Sequence, residues 1–245
     1  MRRVERPVLE VKNLAKYFGG IVALRDFDLT VNKGDLHCLI GPNGAGKTTV
    51  LKIVMGIYPA SSGVVSLNGK NISKLKSNQI VKEGVSIKMQ VPGVYHEMTL
   101  RENMIIAAQN FVPKNELNDK IDELIERVKI KDLGDPLVKN MSHGQQQWLE
   151  IAMALASDPM LLLLDEPAAG LGPEETDFTA KLVTELNESG MTVLFIEHDM
   201  NFVKAIAREV TVLHQGRKFA EGTLDDILAN EEVQRIYLGK EKKKG

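Results

Sequence analysis

The chain has a single cysteine among 245 residues, so no internal disulfide can form and a reducing compartment is expected. Cys38 lies within the apolar run LHCLIG and reads as a small buried strand residue rather than a nucleophile. Long hydrophobic runs are also missing. The apolar runs that do occur, such as MLLLL at 160–164, are much too short to cross a bilayer. The opening MRRVERPVLEV has early arginines, but Glu5 and Pro7 interrupt it and no apolar segment follows, so it does not read as a secretory leader. Neither sign of charge dominates: 31 Lys+Arg stand against 33 Asp+Glu, a formal net charge of -2, and no strong general pull on nucleic acid is indicated. The expectation is a cytoplasmic protein with no nucleic-acid partner, whose link to any membrane runs through another protein.

What is present is an ordinary globular balance, 43% hydrophobic and 26% charged, in a length that suits one sizeable core or one domain with an inserted lobe. VLEVKNLAKYF and VALRDFDLTV alternate apolar and polar residues and predict two half-buried strands joined at Gly19-Gly20. LHCLIG predicts a buried strand, followed by a Gly-rich loop and a helix over TTVLKIVMGI. VVSLNGKNI reads as a strand with a turn at Asn68-Gly69. From about Pro92 to Asp158 strand signals disappear, and ELNDKIDELIERVKI places Leu117, Ile121, Leu124, Ile125 and Val128 at helical spacing. MLLLLDE and TVLFIEHD then read as strands flanking the helix EETDFTAKLVTELNES, with Phe178, Leu182, Val183 and Leu186 as its buried stripe. That strand-helix-strand order predicts a parallel sheet. The chain is thus expected to be a single α/β domain over 1–245, its core at 1–91 and 159–245 and a helical lobe at 92–158. The tail KEKKKG at 240–245 reads as a solvated cluster.

The segment GPNGAGKTT, between the predicted strand and helix, fits G-x-x-x-x-G-K-[ST]. Gly41, Gly44 and Gly46 let successive backbone N–H groups aim inward without side chains in the way. Lys47 offers a point charge to β- and γ-phosphates, and Thr48 a hydroxyl to Mg²⁺ at the positive end of the following helix. These features predict a nucleoside triphosphate site. LLLLDEP adds the means to hydrolyse it. An apolar strand delivers Asp165 and Glu166 to its carboxyl end, Asp165 suited to the metal's outer shell and Glu166 to orienting or deprotonating the attacking water.

MSHGQQQWLEI holds no Lys or Arg, yet reads as the first turn of a helix, with Ser142 as N-cap and Leu149, Ala152, Met153 and Ala156 as the apolar stripe. A hydroxyl, backbone N–H groups and a helix dipole suit a phosphate already partly neutralised elsewhere. A capped structural helix would look the same from these residues alone.

In the order GPNGAGKTT, Gln90, MSHGQQQ, LLLLDEP, IEHD, these motifs resemble the series found in ATP-binding cassette (ABC) transporter ATPases, from about Val8 to Gly239. The resemblance implies a P-loop NTPase core with a mixed, mainly parallel sheet, an N-terminal antiparallel β subdomain and the inserted helical lobe. It implies ATP and Mg²⁺ as cofactors, and a head-to-tail dimer of two copies, or of this chain with a homologous subunit. In that dimer Ser142, His143, Gly144 and Gln145 of one subunit contact ATP held by Gly41, Pro42, Asn43, Gly44, Ala45, Gly46, Lys47, Thr48 and Thr49 of the other. By the same resemblance Phe18, ahead of Tyr17 as a candidate, stacks on adenine. Gln90, read as closing the strand GVSIKMQ, meets Mg²⁺ and the attacking water, and His198 touches the γ-phosphate. Metal contacts are thus expected from Thr48, Gln90 and Asp165, and catalytic roles from Glu166, His198 and Gln90. Two departures stand out: His143 replaces the usual Gly of the signature, and Gly172 replaces an Asp that communicates across the dimer.

SHGQ followed by QWLEIAMAL, with DEPAAGL, IEHDM and EVQRIYLG, resembles the importer ATPases for branched-chain amino acids and for urea or short amides. That group works with an integral-membrane permease and an extracytoplasmic solute-binding protein, which would set this chain on the inner face of the membrane. No long coiled-coil insertion is present, as a chromosome-acting relative would require, and one cassette rather than two is encoded. A soluble ABC-type nucleotide sensor with no permease is the remaining alternative.

Overall fold

Alternating side chains set the sheet that organises the chain. In the computed structural model, residues 7–90 and 93–238 are described; the residues at 1–6, Val91 and Pro92, and those at 239–245, the basic tail among them, lie outside the described residues. Strands β1 (Pro7–Phe18) and β2 (Ile21–Asn32) form the expected hairpin, and β4 (Ser62–Leu67) and β5 (Lys70–Asn71) complete an antiparallel sheet in the order β2-β1-β4-β5. The second sheet contains β3 (Leu36–Ile40), β6 (Val85–Lys88), β7 (Leu161–Asp165), β8 (Thr192–Ile196), β9 (Glu209–His214) and β10 (Arg217–Thr223). Its order is β10-β9-β3-β8-β7-β6, parallel throughout except for β10.

The strands of the second sheet are buried on both faces, and their two-residue period divides them between two cores. Cys38, Leu162, Leu164, Val193 and Phe195 face a core shared with the helices that follow β6 and β7. Leu39, Leu161, Leu163, Leu194 and Ile196 face the other, shared with the antiparallel sheet and α1 (Lys47–Val54). The long stretch between β6 and β7 is helical as expected, with α3 (Leu100–Ala108), α4 (Leu117–Arg127) and α5 (His143–Leu155) packed together. Ile121, Leu124, Ile125 and Val128 are all buried there. The mixed, mainly parallel sheet with an antiparallel N-terminal sheet and helices is therefore the architecture that the residue patterns and the family resemblance together predict.

Three local expectations are refined. Helix α1 stops at Val54 rather than running to Ile57, because Gly56 turns the chain at φ +64 beneath Leu75 O. Gln90 lies two residues beyond the end of β6 instead of closing it. In α6 (Pro173–Glu188), Leu182, Val183 and Leu186 are buried, but Phe178 is only half-buried and packs on Trp148 of α5 with ring centroids 4.2 Å apart.

Candidate functional site

Parallel strands end together, so β3, β6, β7 and β8 deliver the segments after them to one edge of the sheet. The loop at 41–49 wraps there around a cavity of about 540 Å³. Asn43, Gly44, Gly46, Lys47, Thr48 and Thr49 line it with Gln90, Glu166 and His198, as do Ile21, Val22 and Ala23 of β2. Two glycines are fixed by close approach. A Cβ on Gly41 would meet Leu213 O at 2.1 Å, and one on Gly46, at φ +111, would meet Ala23 O at 2.6 Å. Lys47 is 7% exposed, and its ammonium donates to Gly41 O at 2.8 Å and Pro42 O at 3.2 Å. Burial pulls the Lys47 pKa down, while Glu166 and Asp165 pull it back up, so carboxylates beside the loop help keep the cation charged.

Opposite Lys47, Asp165 is fully buried at the end of β7 and accepts from Thr48 Oγ1 at 3.3 Å through Oδ1. Its Oδ2 is buried with no hydrogen-bond partner. Burial raises the Asp165 pKa, the Thr48 hydroxyl opposes that rise, and Glu166 adds to it. Glu166 adopts φ +52, a left-handed conformation that costs a non-glycine residue about 1–3 kcal/mol and is typical of a functional turn. Its carboxylate is held on both sides: Gln90 Nε2 donates to Oε2 at 2.7 Å, and His198 Nδ1 lies 3.4 Å from Oε1. The three residues read from sequence as catalytic thus meet in space, although they follow three different strands.

The segment at 142–145 stands apart from this cavity. Ser142 caps α5 as expected, accepting from Gln145 N at 3.2 Å, while Gln145 Oε1 accepts from Ser142 N at 2.9 Å. The Ser142 hydroxyl also donates to Glu175 Oε1 of α6 at 3.2 Å. A Cβ on Gly144 would meet that same oxygen at 2.5 Å. A carboxylate from within the chain therefore occupies the positive end of α5. His143 Nε2 lies 3.2 Å from Ala169 O and 3.2 Å from Gln147 Nε2, so its exposed ring reaches toward the segment after Glu166.

A family model described as "ABC transporter" matches residues 24–169, and one described as "Branched-chain amino acid ATP-binding cassette transporter" matches residues 217–243. The chain belongs to the ABC transporter ATPases, in the branched-chain amino acid transporter family. It is similar to the high-affinity branched-chain amino acid transport ATP-binding protein BraF of Pseudomonas aeruginosa, 36% identical over 253 residues and covering 96% of this chain and 99% of that protein. The ADP conformation of MJ1267, an ATP-binding cassette of an ABC transporter, superposes with a TM-score of 0.87 at 30% identity, covering 96% of this chain and 99% of that one. The dimeric bacterial ABC transporter cassette MJ0796 superposes with a TM-score of 0.79 at 25% identity, covering 88% of this chain and 98% of that one. As an ABC ATPase the chain binds and hydrolyses ATP. No helix among the described residues is long and apolar enough to cross a membrane.

Not every residue read from sequence lines the cavity. Phe18 does not: its ring is 40% exposed, meets Tyr58 edge-on at 5.4 Å, and has Lys16 Nζ 4.8 Å from its centroid. Pro42 takes part through its carbonyl, which accepts from Ala45 N as well as from Lys47. Sequence reasoning passed over Glu175, although a carboxylate three residues after the helix-capping Gly172 is where a capping side chain reaches back, and it does so at 3.3 Å. It also passed over Glu197, 1% exposed, which accepts from Ala168 N at 2.8 Å and His198 N at 3.1 Å and so braces the turns carrying Glu166 and His198. A charged residue just before His198, at the end of an apolar strand, was the available signal.

Proposed function

We propose that the chain is the ATPase of an importer in which ATP closes two subunits head to tail and hydrolysis reopens them. The observation that carries this reading is the placing of Glu166 between Gln90 and His198 beside Lys47. The loop at 41–49 holds the phosphates, with Lys47 leaving its own carbonyls for the β- and γ-phosphates, and Phe18 turning onto adenine. Glu166 orients and deprotonates the attacking water, while Gln90 and His198 sense the γ-phosphate. Mg²⁺ fits the unpartnered Oδ2 of Asp165 and the Thr48 hydroxyl, with Gln90 nearby. Among the described residues no three or more His, Cys, Asp or Glu form a group that could hold a metal ion by themselves. Held by Asp165 and Thr48, Mg²⁺ would supply charge neutralisation at the γ-phosphate.

Ser142, His143, Gly144 and Gln145 act in trans, on ATP held by a second copy or a homologous subunit. The absence of any Lys or Arg from 142–145 supports a face that grips phosphate only after another loop has partly neutralised it. The helical lobe at 92–158 is proposed as the unit that carries this face and meets the permease. A groove of about 340 Å³ between lobe and sheet, lined by Met89, Ala107, Phe111 and Met153, offers an apolar seat for it. The subunit then works at the cytoplasmic face of the membrane, served from the other side by a solute-binding protein. Branched-chain amino acids are the proposed solutes, and the match at 217–243 supports them over urea or short amides.

The test is recovery of tagged Glu166→Gln chain with ATP and Mg²⁺ from gently solubilised membranes of its own cell. Multi-span membrane proteins should co-purify, and vesicles carrying the wild-type complex and its binding protein should take up labelled leucine, isoleucine or valine. A chain that stays soluble and alone with ATP bound would replace the importer by a stand-alone nucleotide sensor. Uptake of urea instead would overturn the choice of solute.

A further inference from the structure

Lys88 closes β6 and is 2% exposed, one of the largest fully buried side chains in the molecule. A buried ammonium is costly unless it is held by charge and hydrogen bonds. Lys88 Nζ donates to the backbone carbonyl of Glu166 at 3.4 Å. The other end of the same residue is tied as well, because Glu166 N donates to Ile196 O of β8 at 3.0 Å. The left-handed turn at Glu166 is therefore fixed at both of its peptide groups, its N–H by backbone and its carbonyl by Ala169 N at 3.3 Å together with the Lys88 side chain.

The strongest acidic neighbour of Lys88 is Glu150 of α5, followed by Asp165, Glu197 and Glu166. Glu150 is 7% exposed; its Oε1 accepts from Gly93 N, just after the Gln90 segment, and its Oε2 is buried with no hydrogen-bond partner. Lys88, Gly93 and Glu150 line the same groove between lobe and sheet. One buried cation thus joins the catalytic turn, the segment that follows Gln90 and the helix that begins at Ser142.

We propose that Lys88 is a positioning residue for ATP hydrolysis: by holding the Glu166 carbonyl it sets where the Glu166 carboxylate stands, and by facing Glu150 it makes that placement depend on the seating of α5. The inference rests on the proposed role of Glu166. Lys88 touches neither ATP nor water in this scheme, so its loss should fall on the chemical step alone.

Lys88→Met removes the donor while filling the volume. Its kcat should fall about tenfold or more, the usual scale for a charge-assisted hydrogen bond, while the Kd for ATP stays within about twofold. In a Glu166→Gln background the same change should add no further loss to residual turnover, whereas a merely structural defect would multiply. The neutral pair Lys88→Met/Glu150→Gln keeps the buried site uncharged in case the single variant does not fold, and should remain slow. Wild-type turnover in Lys88→Met or in the neutral pair, or ATP affinity falling in step with kcat, would overturn the proposal. Turnover that survives Glu166→Gln would instead overturn the role of Glu166, so the two failures are told apart.

Discussion

The two regions proposed to meet phosphate are built on opposite plans. The region at 41–49, 90, 165–166 and 198 is a cavity with a buried cation, a buried carboxylate and its side chains already converging. The region at 142–145 is a capped helix end whose positive pole is turned onto Glu175 of its own chain. One is ready to take a nucleotide from solution. The other has its place taken by a carboxylate of its own chain. The contrast teaches that charge placement is what distinguishes the region that binds nucleotide from the one proposed to sense it across the dimer.

The largest break in that comparison should come from Glu166→Gln. Turnover should fall about a thousandfold with ATP affinity retained, as for loss of a group that acts only in the transition state. Single-turnover hydrolysis beside equilibrium ATP binding checks both halves of the statement. Lys47→Ala should do the reverse, weakening ATP binding about a hundredfold because a desolvated charge-assisted contact to phosphate is lost. Calorimetric titration would read it, and an unchanged Kd would remove the 41–49 loop as the primary site.

Glu175→Gln sharpens the comparison from the other side. Taking the charge off the α5 N-terminus while keeping a hydrogen-bonding side chain should strengthen ATP-driven association about threefold, the scale of one helix-dipole interaction. Sedimentation across a concentration series measures this, and a weaker association would show that Glu175 supports the partner instead of standing in for phosphate. The smallest effect on nucleotide handling should come from outside both regions, where the change falls on stability instead. His37 in β3 is 2% exposed and bonded to Thr211 Oγ1 at 2.8 Å, and burial lowers its pKa from 6.5 to about 4. The unfolded chain therefore binds this proton more readily. The stability His37 contributes is full above pH 6.5 and is lost as pH falls toward 4, by roughly 3 kcal/mol at most. Urea unfolding of His37→Gln should show a correspondingly flatter pH dependence in that window.

The sheet strands and the 41–49 loop were legible because each demands particular residue types. A buried parallel strand must be apolar on both faces, and phosphate must be met by glycines and a lysine. Glu166, Gln90 and His198 were legible as a series, but their meeting was not. They follow three strands, and only the sheet order β3-β8-β7-β6 brings the strand ends side by side. Glu175 and Lys88 were not read as functional at all. Their roles depend on what α6 and β6 happen to face, and a glutamate in a helix or a lysine in a strand has no local pattern to mark it. Phe178 was placed too deep for a related reason: its helical phase put it on the buried stripe, and it does pack against the core, but at the rim beside a half-buried Trp148.

The central claim is that the face at 142–145 reads phosphate held by another subunit. The most direct measurement places Ser142→Ala in the Glu166→Gln background and records ATP affinity and ATP-driven association on the same sample. The lone tryptophan, Trp148 on α5, serves as reporter for the helix. The account predicts that monomer affinity for ATP is unchanged while association, and the Trp148 signal that accompanies it, is lost. A fall in monomer affinity with association intact at saturating ATP would contradict it, and would make Ser142 part of the chain's own nucleotide site.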